Sequence, residues 1–279
     1  MLYGSSQLLS PIPLLLLLFF APILLSGCAP APRISAIAQA EKAGATWEEV
    51  SGEGFDHLLI SRIPSAEVHT LHIYIGGDGQ AFQSRSKVSL DPTPKKSLTL
   101  ELMLADNAPS AFVARPCYFI SSINNRCNAS LWTTARYSSQ VVDSVAAAIH
   151  RLSLRHPHAQ ITLVGYSGGG VIALLAALQL PQAGSVITIA SPLDTLAWAH
   201  LHGYTPLRGS LNPADISAWP AGLSQTHFIG GADKNVPLSV TKQFRLNVEA
   251  LGVTADFKVI PNYGHRCCWL DFWGKFINN

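Results

Sequence analysis

The sequence predicts an α/β fold, a mostly parallel β-sheet covered by helices on both faces. Three observations lead there. Short β-rich runs alternate with helical ones, and strands separated by helices need crossover connections of the kind that build parallel sheets. Several strand runs, such as Ile161-Thr162-Leu163-Val164 and Val186-Ile187-Thr188-Ile189-Ala190, are almost continuously apolar or β-branched, as strands buried on both faces are. The composition agrees: 279 residues, 48% hydrophobic and 13% charged, with formal net charge +2. A typical soluble domain carries about 25% charged residues. So apolar a chain is not a disordered tail. A net charge of +2 makes no phosphate-neutralising stripe, which excludes nucleic acid as a partner. The length suits one large domain or two small ones.

Taken in order, the first segment stands apart. Leu8 to Leu25 is apolar except for Ser10 and leads directly into Leu25-Ser26-Gly27-Cys28. A short apolar stretch ending at small residues reads as an export signal over residues 1–27. Its ending resembles the lipobox of bacterial lipoproteins, which implies a lipid on Cys28 and anchoring to a membrane. An uncleaved anchor helix is the competing reading, since no Lys or Arg precedes the run. Pro11, Pro13 and Pro22 disfavour a regular spanning helix. Residues 28–51 then read as a tether, with a short helix over Ser35 to Ala45 as the alternative. The folded domain is expected over 52–279.

Within it, His69 to Ile75 is β-rich and runs into Gly76-Gly77-Asp78-Gly79. Leu98 to Ala105 has helical composition, and Ser110 to Ala114 reads as a strand stopped by Pro116. Ser138 to Leu154 is an amphipathic helix, with Val141, Val142, Val145, Ile149 and Leu152 at helical spacing. Ile161 to Val164 is a strand and Gly170 to Leu180 an apolar helix. Val186 to Ala190, Thr226 to Ile229 and Phe257 to Ile260 complete the strands. Residues 193–225 fit no strand–helix unit and read as a cap insertion.

Chemistry concentrates in Gly165-Tyr166-Ser167-Gly168-Gly169, between a predicted strand and a predicted helix. That context separates a nucleophile elbow from a chance G-x-S-x-G match. A serine hydroxyl is a weak nucleophile and must project from a tight turn toward a base. The Gly168 amide, at a helix N-terminus, is placed to stabilise developing negative charge. A Gly-rich turn with an inert serine is the plain alternative. An acid and a histidine should follow in that chain order. Asp233 lies in the Gly-rich turn after Thr226 to Ile229, and His265 in the loop after Phe257 to Ile260. Asp233 would orient His265, and His265 would take the Ser167 proton. Asp194 is the fallback acid. The other nine histidines read as structural, with lining of a pocket from the cap segment as the alternative for His200 and His202; His69 and His72 lie in or beside a strand, and His156 and His158 flank a Pro-containing turn. The second oxyanion donor is expected from the loop after Ile75, with the Asp78 amide preferred over that of Gly77. A carboxylate there opposes catalysis unless paired, so the Asp78 side chain is expected to point away and meet Arg136 or Arg115.

These motifs together resemble the α/β-hydrolase superfamily: the GYSGG elbow, Gly230 to Pro237 (GGADKNVP) and Gly264-His265. Within it, IYIGGDG, SLDPTP, ARPCYF, WTTARYS, LVGYSGGG and GSLNP resemble an uncharacterised bacterial group of exported or lipid-anchored α/β hydrolases. The resemblance runs from about Leu58 to Trp269. It implies an eight-stranded, mostly parallel sheet and a Ser167–His265–Asp233 triad. No cofactor and no metal are expected. The histidine of an HG-type oxyanion loop is replaced here by Gly76. One such fold hosts many reactions, so it fixes no substrate.

If Cys28 is lipidated, four cysteines remain, and export would place them in an oxidising compartment. Cys117 and Cys127 are close across a polar loop and are the favoured disulfide. Cys267 and Cys268 would form a vicinal bridge or stay as thiols. A metal held by His265, Cys267 and Cys268 is the remote alternative. Two functional classes follow. One is a serine hydrolase of carboxylic esters, with thioesters as a neighbouring class and amide hydrolysis or acyl transfer as runner-up. The other is a lipid-anchored binding protein that keeps the fold without turnover. The expected partners are a small-molecule ester and, through the lipid, a membrane. The expected place is the bacterial envelope, on the outer membrane facing the periplasm.

Overall fold

Eight strands form one sheet in the order β1-β2-β4-β3-β5-β6-β7-β8. They belong to a computed structural model that describes residues 1, 4, 31–84, 86–121 and 125–278. The chain divides into two units, Met1–Pro30 and Ala31–Asn279. Only Met1 and Gly4 of the first are described, so the expected signal segment and Cys28 lie outside the described residues.

The second unit opens with α1 (Pro32–Lys42), where Pro32 occupies the first turn. There its missing N–H costs nothing and its fixed φ suits the helix. Ala36 and Ala40, four residues apart, are the buried face. Next come β1 (Thr46–Ser51) and β2 (Asp56–Arg62), an antiparallel hairpin with Val50 opposite His57. The expected tether over 28–51 is thereby corrected for its described part: the alternative of a short helix over Ser35 to Ala45 is met by α1, and residues 46–51 are an edge strand of the domain. β1 carries Glu48 and Glu49 and buries only Val50. Charge on an edge strand blocks further pairing, and it also hides the alternation by which a strand is recognised.

β3 (Thr70–Ile75), α2 (Leu98–Leu104) and β4 (Ser110–Val113) follow. β2 runs antiparallel to β4, and every other pair from β4 through β3, β5, β6 and β7 to β8 is parallel. α3 (Ser139–Ser153) buries the predicted apolar stripe. β5 (Gln160–Tyr166) leads into α4 (Gly168–Ala177), all ten residues of which are buried. That burial explains an almost wholly apolar helix. β6 (Ala183–Ile189), α5 (Thr195–Leu201), β7 (Ser224–Gly230), α6 (Lys242–Ala250), β8 (Ala255–Ile260) and α7 (Trp269–Ile277) complete the chain.

The expected insertion over 193–225 contains α5 and a 3-10 turn at Pro213–Asp215. Its end needs moving, since Ser224 and Gln225 belong to β7. Trp198 and Ala199 of this segment pack on Val236 and Val240. Among the described residues no helix is long and apolar enough to cross a membrane. The consequence for chemistry is positional. The loops after β3, β5, β7 and β8 all leave from carboxyl ends of parallel strands, where open α/β sheets gather their functional groups.

Candidate active site

Ser167 sits between β5 and α4 with φ 52° and ψ −127°. A non-glycine residue there is strained, and such strain collects at functional sites. The turn is possible because its neighbours lack side chains. A Cβ on Gly165 would stand 2.3 Å from Gly169 C, and one on Gly169 2.3 Å from Ile75 O. One on Gly170 would stand 2.0 Å from Ser191 Oγ. The Ser167 amide donates to Ile189 O at 2.8 Å, tying the turn to β6.

Asp233 and His265 arrive from adjoining loops that are zipped together. Gly231 donates its amide to Ile260 O and Ala232 to Tyr263 O, both at 2.9 Å. A Cβ on Gly230 would stand 2.4 Å from Tyr263 O. His265 Nδ1–H donates to Asp233 Oδ2 at 2.9 Å, and His265 Nε2 lies 3.1 Å from Ser167 Oγ. With Nδ1 holding the proton, Nε2 is free to accept from the serine hydroxyl. The other Asp233 oxygen accepts from the amides of Asn235 and Val236, each at 2.8 Å. Burial would raise this carboxyl. The hydrogen bonds from His265, Val236 and Asn235 outweigh it and hold Asp233 below the ordinary carboxylate range.

Asp194 is used elsewhere. Its Oδ1 caps α5 by accepting from Leu196 at 3.1 Å and Ala197 at 3.0 Å, so the fallback acid is a helix N-cap. His202 accepts or donates through no atom of the triad; its Nε2–H donates to Asn235 O at 2.7 Å, beside Trp198 Nε1–H at 3.0 Å. The 193–223 segment therefore clamps the loop that carries Asp233. His200 and His69 are exposed, and His158 lies 3.9 Å from Glu67. His72 is 2.6 Å from Asp106 Oδ2.

A family model for class 3 lipases matches residues 98–199, which include Ser167. No curated protein sequence matches the chain. Solved structures do. A protein of unknown function from Agrobacterium tumefaciens, placed provisionally among the α/β hydrolases, superposes with TM-score 0.59 at 13% identity. That match covers 84% of this chain and 94% of the other. An α/β serine hydrolase homologue from Coxiella burnetii gives TM-score 0.58 at 15% identity, over 84% and 96%. An esterase/lipase from an uncultured bacterium gives 0.54 at 15%, over 91% and 92%. The chain has the α/β-hydrolase fold.

In α/β-hydrolase terms, the place to look for oxyanion donors is beside the elbow, where the loops after β3 and β5 meet. Gly168 occupies the first position of α4, where an amide has no partner within the helix. Among the described residues neither Gly77 nor Asp78 spends its amide on a backbone acceptor. The Asp78 side chain meets both expected arginines. Arg115 Nη1 donates to Oδ1 at 2.5 Å and Arg136 Nη1 to Oδ2 at 3.1 Å, with Tyr137 Oη also donating to Oδ2 at 2.7 Å. Burial would raise this carboxyl, but the two guanidiniums and the tyrosine hold it below its usual range. One expectation is corrected here. The carboxylate does not point clear of the elbow but lies against Gly168, where a Cβ would stand 2.2 Å from Oδ1.

Cys117 and Cys127 are bonded, with S–S 2.05 Å, and Cys267 is bonded to Cys268, with S–S 2.04 Å. Bonded sulfurs are not thiolate ligands. Among the described residues no group of three His, Cys, Asp or Glu side chains forms a metal site. A second Ser–His pair exists, His57 Nε2 at 2.8 Å from Ser144 Oγ, but it is wholly buried and its Nδ1–H donates to Ala114 O at 2.8 Å. With no acid behind it and no access, it is a packing joint.

Motif spacing misses the residues that hold His265. Tyr166 Oη donates to His265 O at 2.8 Å, and its ring centroid lies 5.3 Å from the imidazole. Trp269 Nε1–H is shared between Gly264 O at 3.0 Å and His265 O at 3.1 Å. Tyr166 is the variable position of G-x-S-x-G, so only its identity as a large hydrogen-bonding side chain could have pointed to it.

Proposed function

We propose that the chain is a serine hydrolase of carboxylic esters acting through an acyl-enzyme on Ser167. The observation that carries this is the unbroken relay of Ser167, His265 and Asp233, at 3.1 and 2.9 Å, in the turn geometry of an elbow. Ser167 Oγ attacks the ester carbonyl carbon while His265 Nε2 takes its proton, and Asp233 stabilises the imidazolium without itself being protonated. The carbonyl oxygen becomes an oxyanion held by the amides of Gly168 and Asp78, with Gly77 the alternative donor. Collapse breaks the bond to the leaving oxygen, which receives the proton from His265. Water then attacks the acyl-enzyme by the same route, giving the acid and free Ser167. The similarity to class 3 lipases over 98–199 supports esters over amides.

The decisive experiment is labelling with a fluorophosphonate probe. Wild type should label, and Ser167→Ala and His265→Ala should not. A well-folded wild type that does not label would leave a binding protein on a hydrolase fold. A panel of nitrophenyl esters of graded chain length, with thioester and amide analogues, would then define the substrate. We further propose that the enzyme sits in a bacterial envelope on a lipid carried by Cys28, a reading supported by the apolar run from Leu8 to Leu25 that leads into Leu25-Ser26-Gly27-Cys28. Radiolabelled palmitate should enter wild type and be absent from Cys28→Ala.

A further inference from the structure

Four side chains outside the triad converge on Asp78. Arg115, Arg136 and Tyr137 hold its carboxylate, and Tyr118 Oη donates to its backbone carbonyl at 2.9 Å. Arg115 is 1% exposed, Tyr118 2% and Tyr137 0%. The Arg115 guanidinium also lies 5.2 Å from the Tyr118 ring centre and 5.7 Å from that of Tyr137, and it donates to Arg136 O. Burying two guanidiniums against one carboxylate is costly, and an apolar cluster of equal volume is often as stable or more so. Stability alone therefore gives no reason for this assembly.

Its position gives one. Arg115 and Tyr118 come from the loop after β4, where Cys117 has φ 70° and Phe119 φ 55°. Two non-glycine residues in the left-handed region mark a segment held against its own preference. The Cys117–Cys127 bond and a 2.9 Å hydrogen bond from the Phe119 amide to Thr93 Oγ1 hold it. The loop it grips, Gly76-Gly77-Asp78-Gly79, has no other side chain to pack. Asp78 is thus held at its carboxylate and at its carbonyl, and lies against Gly168. Two guanidiniums against one carboxylate leave a net positive charge behind the loop. The ionised side chain thus does not repel an oxyanion at the amides in front of it.

We propose that Arg115, Tyr118, Arg136 and Tyr137 are positioning residues that set the Asp78 amide for the oxyanion, with the Asp78 side chain as the grip. The inference rests on Ser167 being the nucleophile. It is tested by steady-state hydrolysis of matched oxo- and thionoesters by wild type, Tyr118→Phe, Arg136→Met and Arg136→Lys. A thiono sulfur accepts hydrogen bonds poorly, so the oxo-to-thiono ratio reports the hole itself. Tyr118→Phe removes one hydroxyl and should lower kcat by about tenfold, leave KM within about twofold, and lower the ratio in parallel. Arg136→Lys should recover part of what Arg136→Met loses. If wild type shows Ser167-dependent turnover and folded Tyr118→Phe and Arg136→Met keep its kcat and ratio, the inference is overturned alone. If wild type shows no Ser167-dependent turnover, the hydrolase reading falls and takes the inference with it.

Discussion

A Cβ on Gly168 would stand 2.2 Å from Asp78 Oδ1 and 2.4 Å from its Cγ, so the elbow and the proposed oxyanion loop touch through a missing side chain. Gly168→Ala should displace one or the other and misplace an oxyanion donor. Losing such a donor costs about 100-fold or more in kcat, whereas overpacking costs about 1–3 kcal/mol in stability. The expected variant is therefore folded and nearly inactive, and full ester turnover in folded Gly168→Ala would sink this account of the contact. Asp233→Asn should likewise keep its amide contacts at Asn235 and Val236 yet lose the proton-holding partner of His265 Nδ1, with kcat down by about 1,000-fold or more. Steady-state kinetics beside a melting curve separates these losses from unfolding. At this scale the convergence of Ser167, Asp233 and His265 was legible because each sits in a glycine-bearing turn or loop that follows a β-rich run, in the expected chain order. Tyr166 and Trp269 were not, because each acts by donating to the backbone oxygen of His265. That contact depends on where two distant loops end, and no spacing encodes it.

Among the elements, the parallel strands and α3 were legible through β-rich runs and a helical stripe, α1 was met only as the alternative to a tether, and β1 and β2 were missed. β1 is an edge strand with one buried residue, and α1 buries only two alanines, so neither carries a strong apolar period. Their attachment is instead polar and close. His57 on β2 bridges Ala114 O and Ser144 Oγ of α3, and Gly52 in the hairpin turn lies against that bridge. A Cβ on Gly52 would stand 2.3 Å from Ser144 O and 2.5 Å from His57 Nε2. Gly52→Ala should therefore separate the hairpin from α3 and destabilise the fold by about 2 kcal/mol. The hairpin is remote in the sheet order from β5, so Ser167 labelling should persist in the folded fraction. Chemical denaturation beside probe labelling checks both, and an unchanged unfolding midpoint would show that the turn has slack.

For the molecule as a whole, the two deeply buried histidines set how stability responds to acid. Burial lowers His57 to about 4 and His227 to about 3, from an ordinary value of 6.5. Both are neutral joints in the folded state, His227 accepting from or donating to Thr188 Oγ1 at 2.8 Å. The unfolded chain takes up protons at these rings below about pH 6.5, and the folded chain does not until pH falls further. Stability is therefore full above about 6.5 and declines as pH drops toward 4. Between pH 7 and pH 5 each histidine should remove about 2 kcal/mol. Asp78 and Asp233 have depressed folded values, so their contribution is present above the ordinary carboxylate range and is lost only below it. The window from 6.5 to 4 thus belongs to the histidines, and the carboxylates act later. Urea unfolding at pH 7, 6 and 5 should show a midpoint falling with acid in wild type and falling less in His227→Gln, whose side chain does not titrate. An equal decline in the two proteins would assign the acid sensitivity to other groups.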